Sequence, residues 1–162
     1  MRSVHKATIG KFVRGQEVRD ERLSSGRVSE SDTMLKSYAL PIGLRVERGE
    51  RHAFVVMDSD SVVSRRTHSS TTAAHIRALS FVLETDPILK TMSWFRVYFM
   101  DENGHRQSND TFGVLVIAGD EDIAKTAVEV WRSLQGKTTD AYDVLDLGSD
   151  FRQKRREAAR AK

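Results

Sequence analysis

The stretch Ser37-Tyr38-Ala39-Leu40-Pro41-Ile42-Gly43-Leu44-Arg45-Val46-Glu47-Arg48-Gly49-Glu50-Arg51-His52-Ala53-Phe54-Val55-Val56-Met57 decides the fold. Tyr38, Leu40, Ile42, Leu44 and Val46 alternate with Ala39, Pro41, Gly43 and Arg45, which is the period of a strand with one buried face. Pro41 has no N–H to give to a ladder and so predicts an edge position. Glu47-Arg48-Gly49-Glu50 reads as a turn and 51–57 as the return strand, so 37–57 is a β-hairpin that Asp58-Ser59-Asp60-Ser61 closes.

Working downstream, Ile76, Leu79, Val82 and Leu83 fall at helical spacing and predict a helix over 72–84, stopped at Asp86-Pro87 because proline disfavours helix in the residue before it. The aromatic run 94–100, the Asn103-Gly104 turn and the apolar run 111–118 make a second hairpin. Ile123, Ala124, Ala127, Val128, Trp131 and Leu134 share one face of a further helix that ends at Gly136. Upstream, residues 1–33 are polar with scattered anchors, giving a short helix over 7–14 and then irregular structure. The fold class is therefore α+β, with antiparallel β-hairpins interleaved with helices, because a doubly wound parallel sheet would alternate single strands with crossover helices. The expected organisation is an α+β domain over 1–136, either one small domain or two tightly packed halves (8–84 and 92–136). An acidic linker over 137–149, bearing Asp140, Asp143 and Asp146, and a basic tail over 150–162 complete it.

Composition narrows the function. The 162 residues contain no cysteine, which excludes disulfides, thiolate metal sites and cysteine nucleophiles. A hydrophobic share of 39% with 30% charged residues describes a soluble globular chain. No apolar run reaches the roughly 20 residues that cross a bilayer, so no membrane role and a cytoplasmic location are expected. The net charge of +3 is concentrated at the C-terminus, where Arg152, Lys154, Arg155, Arg156, Arg160 and Lys162 face only Asp150 and Glu157; the remaining chain sums to −1. Short basic arms bind nucleic acid by counterion release and are also common as solvated ends.

The segment 65–79 crowds Arg65, Arg66, Ser69, Thr71, Thr72, His75 and Arg77 around a helix start. The unpaired N–H groups and the macrodipole there suit an anion, which hydroxyls and arginines would help to hold. The plainer reading makes Thr71 or Thr72 an N-cap and His75 a polar residue of the first turn. Candidate anion or nucleic-acid contacts are thus these seven residues with Arg152, Lys154, Arg155 and Arg156 of the tail.

Enzyme chemistry has weaker support. Asp58-Ser59-Asp60 after a strand is superficially similar to the Asp-x-Asp signature of haloacid-dehalogenase-like phosphotransferases, yet a hairpin strand and a short chain leave no room for their parallel core. The histidines show no metal spacing, and no cofactor motif is present. Trp94, Phe95, Tyr98 and Phe99 are stacking faces for bases if exposed and core if buried; aromatics on both faces of one strand favour core.

Ser37-Tyr38-Ala39-Leu40-Pro41-Ile42-Gly43, the hairpin, and Ser69-x-Thr71-Thr72-x-x-His75-x-x-x-Leu79 together resemble small uncharacterised proteins of tailed phages and their bacterial hosts. Those carry a Ser-Tyr-x-Thr-Pro-Ile-Ala strand before a Ser-x-Thr-Thr-x-x-His helix start, and Phe12-Val13-x-Gly15 is similar to their Phe-Leu-x-Gly element. The likeness covers roughly residues 8–80, and the chain departs from it at Leu40 and Gly43. It implies a phage or mobile-element origin, hence the host cytoplasm or the virion, and carries no activity. The expected function is a non-enzymatic accessory protein that associates with DNA or RNA through the basic tail and the Arg65/Arg66 region. Its alternatives are a protein-interaction, virion-associated or host-modulating factor that binds a phage or host protein, and third a metal-dependent phosphohydrolase using Asp58 and Asp60.

Overall fold

The computed structural model describes residues 3–60, 69–87 and 89–161. Its centre is an eight-stranded antiparallel sheet: β1 (Leu23–Arg27), β2 (Asp32–Ser37), β3 (Leu40–Arg48), β4 (Arg51–Met57), β5 (Ser93–Met100), β6 (Arg106–Ser108), β7 (Val114–Ala118) and β8 (Ala141–Gly148). Strands β1 to β4 follow one another as a meander, β7 adds beside β4, and β5 pairs with β7, β6 and β8. Helices α1 (Ser3–Val13) and α2 (Ser70–Thr85) pack on one face, α3 (Glu121–Leu134) packs on the other, and α4 (Phe151–Arg160) closes the chain. The expected α+β class with antiparallel hairpins between helices is what the structure shows.

Both faces of the sheet are buried, which changes how its strands read. Ile9 and Phe12 of α1 and Ile76, Leu79 and Leu83 of α2 meet Leu35, Phe54, Val56, Leu115 and Ile117 on one side. Ile123, Ala127, Val128 and Trp131 of α3 meet Leu44, Val46, Val55, Phe95, Val97 and Val116 on the other. Each core draws on both the 8–84 and the 92–136 stretches, so the two halves share one sheet and two common cores.

Pro41 is not at an edge, because β3 is paired on both sides. The register between β2 and β3 shifts at Leu35/Lys36, where Leu35 pairs with Gly43 and Lys36 with Pro41, leaving Ile42 as the extra residue of a β-bulge. A bulge tolerates proline and turns Ile42 away from the face that alternation assigns it, so it joins the α1/α2 core while Leu44 lies in the α3 core. Gly43 faces α2 as well, and a Cβ there would stand 2.8 Å from Leu79 Cδ2 and 3.3 Å from Phe12 Cζ. Only glycine lets both side chains reach the sheet. Tyr38 belongs to the two-residue turn between β2 and β3, at φ 54°, the left-handed conformation that primed hairpin turns require at this position.

The stretch expected as an acidic linker contains strand β8, and 23–33, expected as irregular, belongs to the hairpin β1–β2, which also takes Ser37 from the hairpin expected over 37–57. In β8 the pairing with β5 is interrupted by irregularities at Trp94/Phe95 and Tyr98/Phe99, so period-two alternation is lost. Its aspartates close the backbone: Asp143 Oδ1 accepts from Val144 N–H at 2.9 Å and Asp146 Oδ1 from Gly148 N–H at 2.8 Å. Acidic side chains that occupy edge N–H groups also blunt pairing with another chain.

The apolar run expected as one strand over 111–118 begins later, because β6 and β7 are two parts of one path along β5 separated by a 3-10 turn, Asn109–Phe112. Asn109 fills the break. Fully buried, it accepts from Val97 N–H through Oδ1 at 3.2 Å and donates from Nδ2 to Phe95 C=O at 3.2 Å, replacing the missing ladder bonds. Asn109→Leu should cost roughly 2–4 kcal/mol, because it strands two buried backbone groups. Urea denaturation measures this, and a cost below about 1 kcal/mol would show that water replaces the amide.

Candidate functional site

The helix start begins at Ser69, not at Thr71 or Thr72. Ser69 has extended backbone (φ −65°, ψ 162°) and its Oγ accepts from Thr72 N–H at 3.2 Å, which makes it the N-cap of α2. Thr71 and Arg77 are exposed, whereas Thr72 and His75 turn inward. Thr72 Oγ1 lies 2.9 Å from Ser37 Oγ, Ser37 Oγ lies 2.7 Å from His75 Nδ1, and His75 Nε2 lies 3.3 Å from His5 Nδ1. Ser37 and His75 are each 1% exposed, so His75 is a core residue rather than a polar first-turn residue. Arg65 and Arg66 lie outside the described residues.

The hydrogen bonds of this row fix its charge state. The His5 and His75 rings meet edge to face with centroids 4.8 Å apart. If both imidazoles were protonated, an N–H on His75 would point at an N–H on His5, so at least one must be neutral. Burial first, and the neighbouring His5 second, hold the His75 pKa below its ordinary value of 6.5, while Asp20 opposes them. Thr72 and His75, expected to greet an anion, are instead bonded through Ser37 inside the fold, and among the described residues of that segment Ser69, Thr71 and Arg77 face outward.

The basic tail is likewise no solvated end. It forms α4, whose Arg152 is buried: Nη1 lies 3.3 Å from both Asp58 Oδ1 and Asp60 Oδ2, and Nε donates to Glu84 Oε1 at 2.7 Å. Arg155 Nη1 donates to Asp58 Oδ2 at 2.7 Å and Arg156 Nη1 to the second oxygen of Glu84. Lys154 pairs with Asp150 at 3.3 Å on the exposed side. Three arginines therefore face three carboxylates of β4's end and α2, and Phe151 packs toward Trp94 with ring centroids 6.5 Å apart. Asp58, the candidate nucleophile of the phosphohydrolase reading, is 3% exposed with a guanidinium at each oxygen. Its strand is antiparallel to both neighbours.

Of the aromatics on β5, Trp94, Phe95 and Phe99 are core; Tyr98 is half-buried and carries the Arg106 guanidinium 3.8 Å from its ring centroid. The residue that sequence reasoning missed is Phe81. It is 65% exposed, standing off the apolar stripe of Ile76, Leu79 and Leu83. Arg77, Phe81 and Glu84 recur at helical spacing on one outer face of α2, and Glu84 holds Arg152 and Arg156. Arg77 and Phe81 are both exposed, and Glu84 at the next turn of the same helix pairs with Arg152 and Arg156 of α4. A helical projection of 70–85 shows Phe81 off the stripe, whereas nothing local indicates that Asp58 and Glu84 hold the tail.

The chain matches no family model, no curated protein and no solved structure. Among the described residues, no helix is long and apolar enough to cross a membrane.

Two outcomes follow from this geometry. The lowered pKa of His75 means that the unfolded chain binds the proton more readily, so stability is full above pH 6.5 and is lost as pH falls through the lowered native value. Denaturation at about pH 7.5 and about pH 5.5 should show this loss, and His75→Asn should flatten it; an unchanged pH dependence in the variant would place the titration elsewhere. Truncation before residue 151 leaves Asp58 buried without its guanidiniums and should cost about 3 kcal/mol or more. An unchanged melting temperature would return 150–162 to a solvated tail.

Proposed function

We propose that the protein is an accessory factor of phage or mobile-element origin that acts by binding nucleic acid, without catalysis. The observation that supports this reading is exposed Phe81 on the outer side of α2, one turn after exposed Arg77 and one turn before Glu84, which pairs with Arg156 of α4. An exposed aromatic offers a face to a base of any identity, and flanking guanidiniums serve the phosphates on either side of it.

The carboxylates under α4 shape this reading. Asp58, Asp60 and Glu84 offset the charge of Arg152, Arg155 and Arg156, so the tail does not act as a loose polycation. They also hold the helix in place, which leaves Lys154 and Arg160 exposed on a helix of fixed position. A preformed array loses less entropy on binding than a disordered arm. The acidic capping of β8 works against the protein-interaction alternative in its strand-addition form.

Fluorescence anisotropy with labelled single strands of about 20 nucleotides tests the proposal. Affinity should fall steeply between about 50 and 200 mM salt. Arg77→Ala should lower the salt slope by roughly 0.7, and Phe81→Ala should cost about 1–3 kcal/mol without changing that slope. Absence of binding to DNA and RNA at low salt would remove this function, and an equal affinity of Phe81→Ala would remove the stacking.

A further inference from the structure

Helices α1 and α2 meet at their N-terminal ends through His5 and His75, and at their C-terminal ends a cavity of about 430 Å³ opens between them over the sheet. That volume falls within the roughly 300–1,000 Å³ of small-molecule sites. Its walls are Val13, Phe54, Val82, Leu89 and Met92, with Gly10 where a side chain would otherwise intrude. At one side lies Arg45, a cation only 8% exposed.

A buried guanidinium in an apolar cavity demands acceptors, and Arg45 has them on one edge only. Nε donates to Val13 C=O at 3.0 Å, satisfying the open end of α1, and Nη1 donates to Glu47 Oε2 at 2.9 Å. Nη2 has no partner among the described residues, and Arg45 lines the cavity. Gly15 keeps the group in place, since a Cβ there would stand 2.8 Å from Nη1. Arg14 adds a second cation to the lining against the single carboxylate of Asp86, and His52 stands on the same sheet face beside Glu47.

We propose that this cavity binds a small amphipathic carboxylate, whose chain lies against Val13, Phe54, Val82 and Met92 and whose carboxylate accepts from the open edge of Arg45. An apolar body fits the walls, and an oxygen acceptor takes the one edge of the guanidinium that is left open to the cavity. The site is distinct from the Arg77/Phe81 face and does not depend on nucleic-acid binding.

Octanoate is the probe, with octanol and octylammonium as the neutral and cationic controls. In amide-resolved NMR titrations of the full chain, octanoate should shift resonances of 9–15, 45 and 82–86. Octanol and octylammonium should bind about ten- to a hundred-fold more weakly, the factor of one hydrogen bond to a charged group. Arg45→Gln should weaken octanoate by a similar factor. Gly10→Leu should abolish its binding while leaving the melting temperature unchanged or higher, because a Cβ at Gly10 meets only Arg14, at 3.7 Å. Octanoate shifts confined to other parts of the chain would overturn the proposal. So would octanol binding as tightly as octanoate, or full octanoate affinity in Gly10→Leu.

Discussion

A sheet covered by helices on both faces leaves its polar groups no recourse to water, and most of the unusual features of this protein answer that constraint. Where β6 and β7 part, the side chain of Asn109 takes the place of the ladder. Where β3 gains a residue, Pro41 stands beside the bulge with no N–H to strand. Where hydroxyl and imidazole groups lie under α2, they form a row from Ser69 to His5 in which each member bonds the next. Satisfied in this way, buried polar groups fix one register and one helix placement, since any slip would leave several of them unpaired.

The bulge at Ile42 and the absence of a side chain at Gly43 set the height of α2 above the sheet. Leu79 and Phe12 descend into the space that a Cβ would fill, which draws α1 and α2 onto the same patch. Their closeness brings His5 against His75 at one end. At the other end Gly10 and the guanidinium of Arg45 line a cavity, so one helix pair is tightly joined by a polar row at one end and open at the other. Protonation of His75 therefore bears on the whole helix pair, because the charged ring would sit buried in the row that joins the two helices.

The helices over 72–84 and 119–136 were legible from a single dominant period, the hairpin over 37–57 from alternation up to its turn, and the strand 94–100 from an unbroken apolar run. What the sequence hid has identifiable physics. Strand β8 lacks alternation because its pairing with β5 is irregular at two points, and its aspartates read as linker until they are seen bonded to the edge backbone. Pro41 signals an edge or a bulge with equal force, and only the register distinguishes them. The site was less legible than the fold. Ser37 and His75 are separated by 38 positions and Asp58 and Arg155 by 97, and no local pattern links residues so far apart. Phe81 was the exception, since its departure from the apolar stripe of its own helix is a local fact.

Charge, too, is distributed differently in three dimensions than along the chain. A body of −1 and a tail of +4 suggest a mobile cation seeking an external anion. The fold instead supplies the anions itself: buried Asp58 and half-exposed Asp60 at the end of β4, and Glu84 on α2. A carboxylate as enclosed as Asp58 is stable as an anion only with its guanidiniums in place, so the folded body requires α4 as much as α4 requires the body. The exposed cations of α4 are those on the outer side of that joint. The acidic cluster thereby turns a basic segment into a helix of defined placement. Under the proposed nucleic-acid binding, selectivity comes from that placement, since net charge alone supplies none.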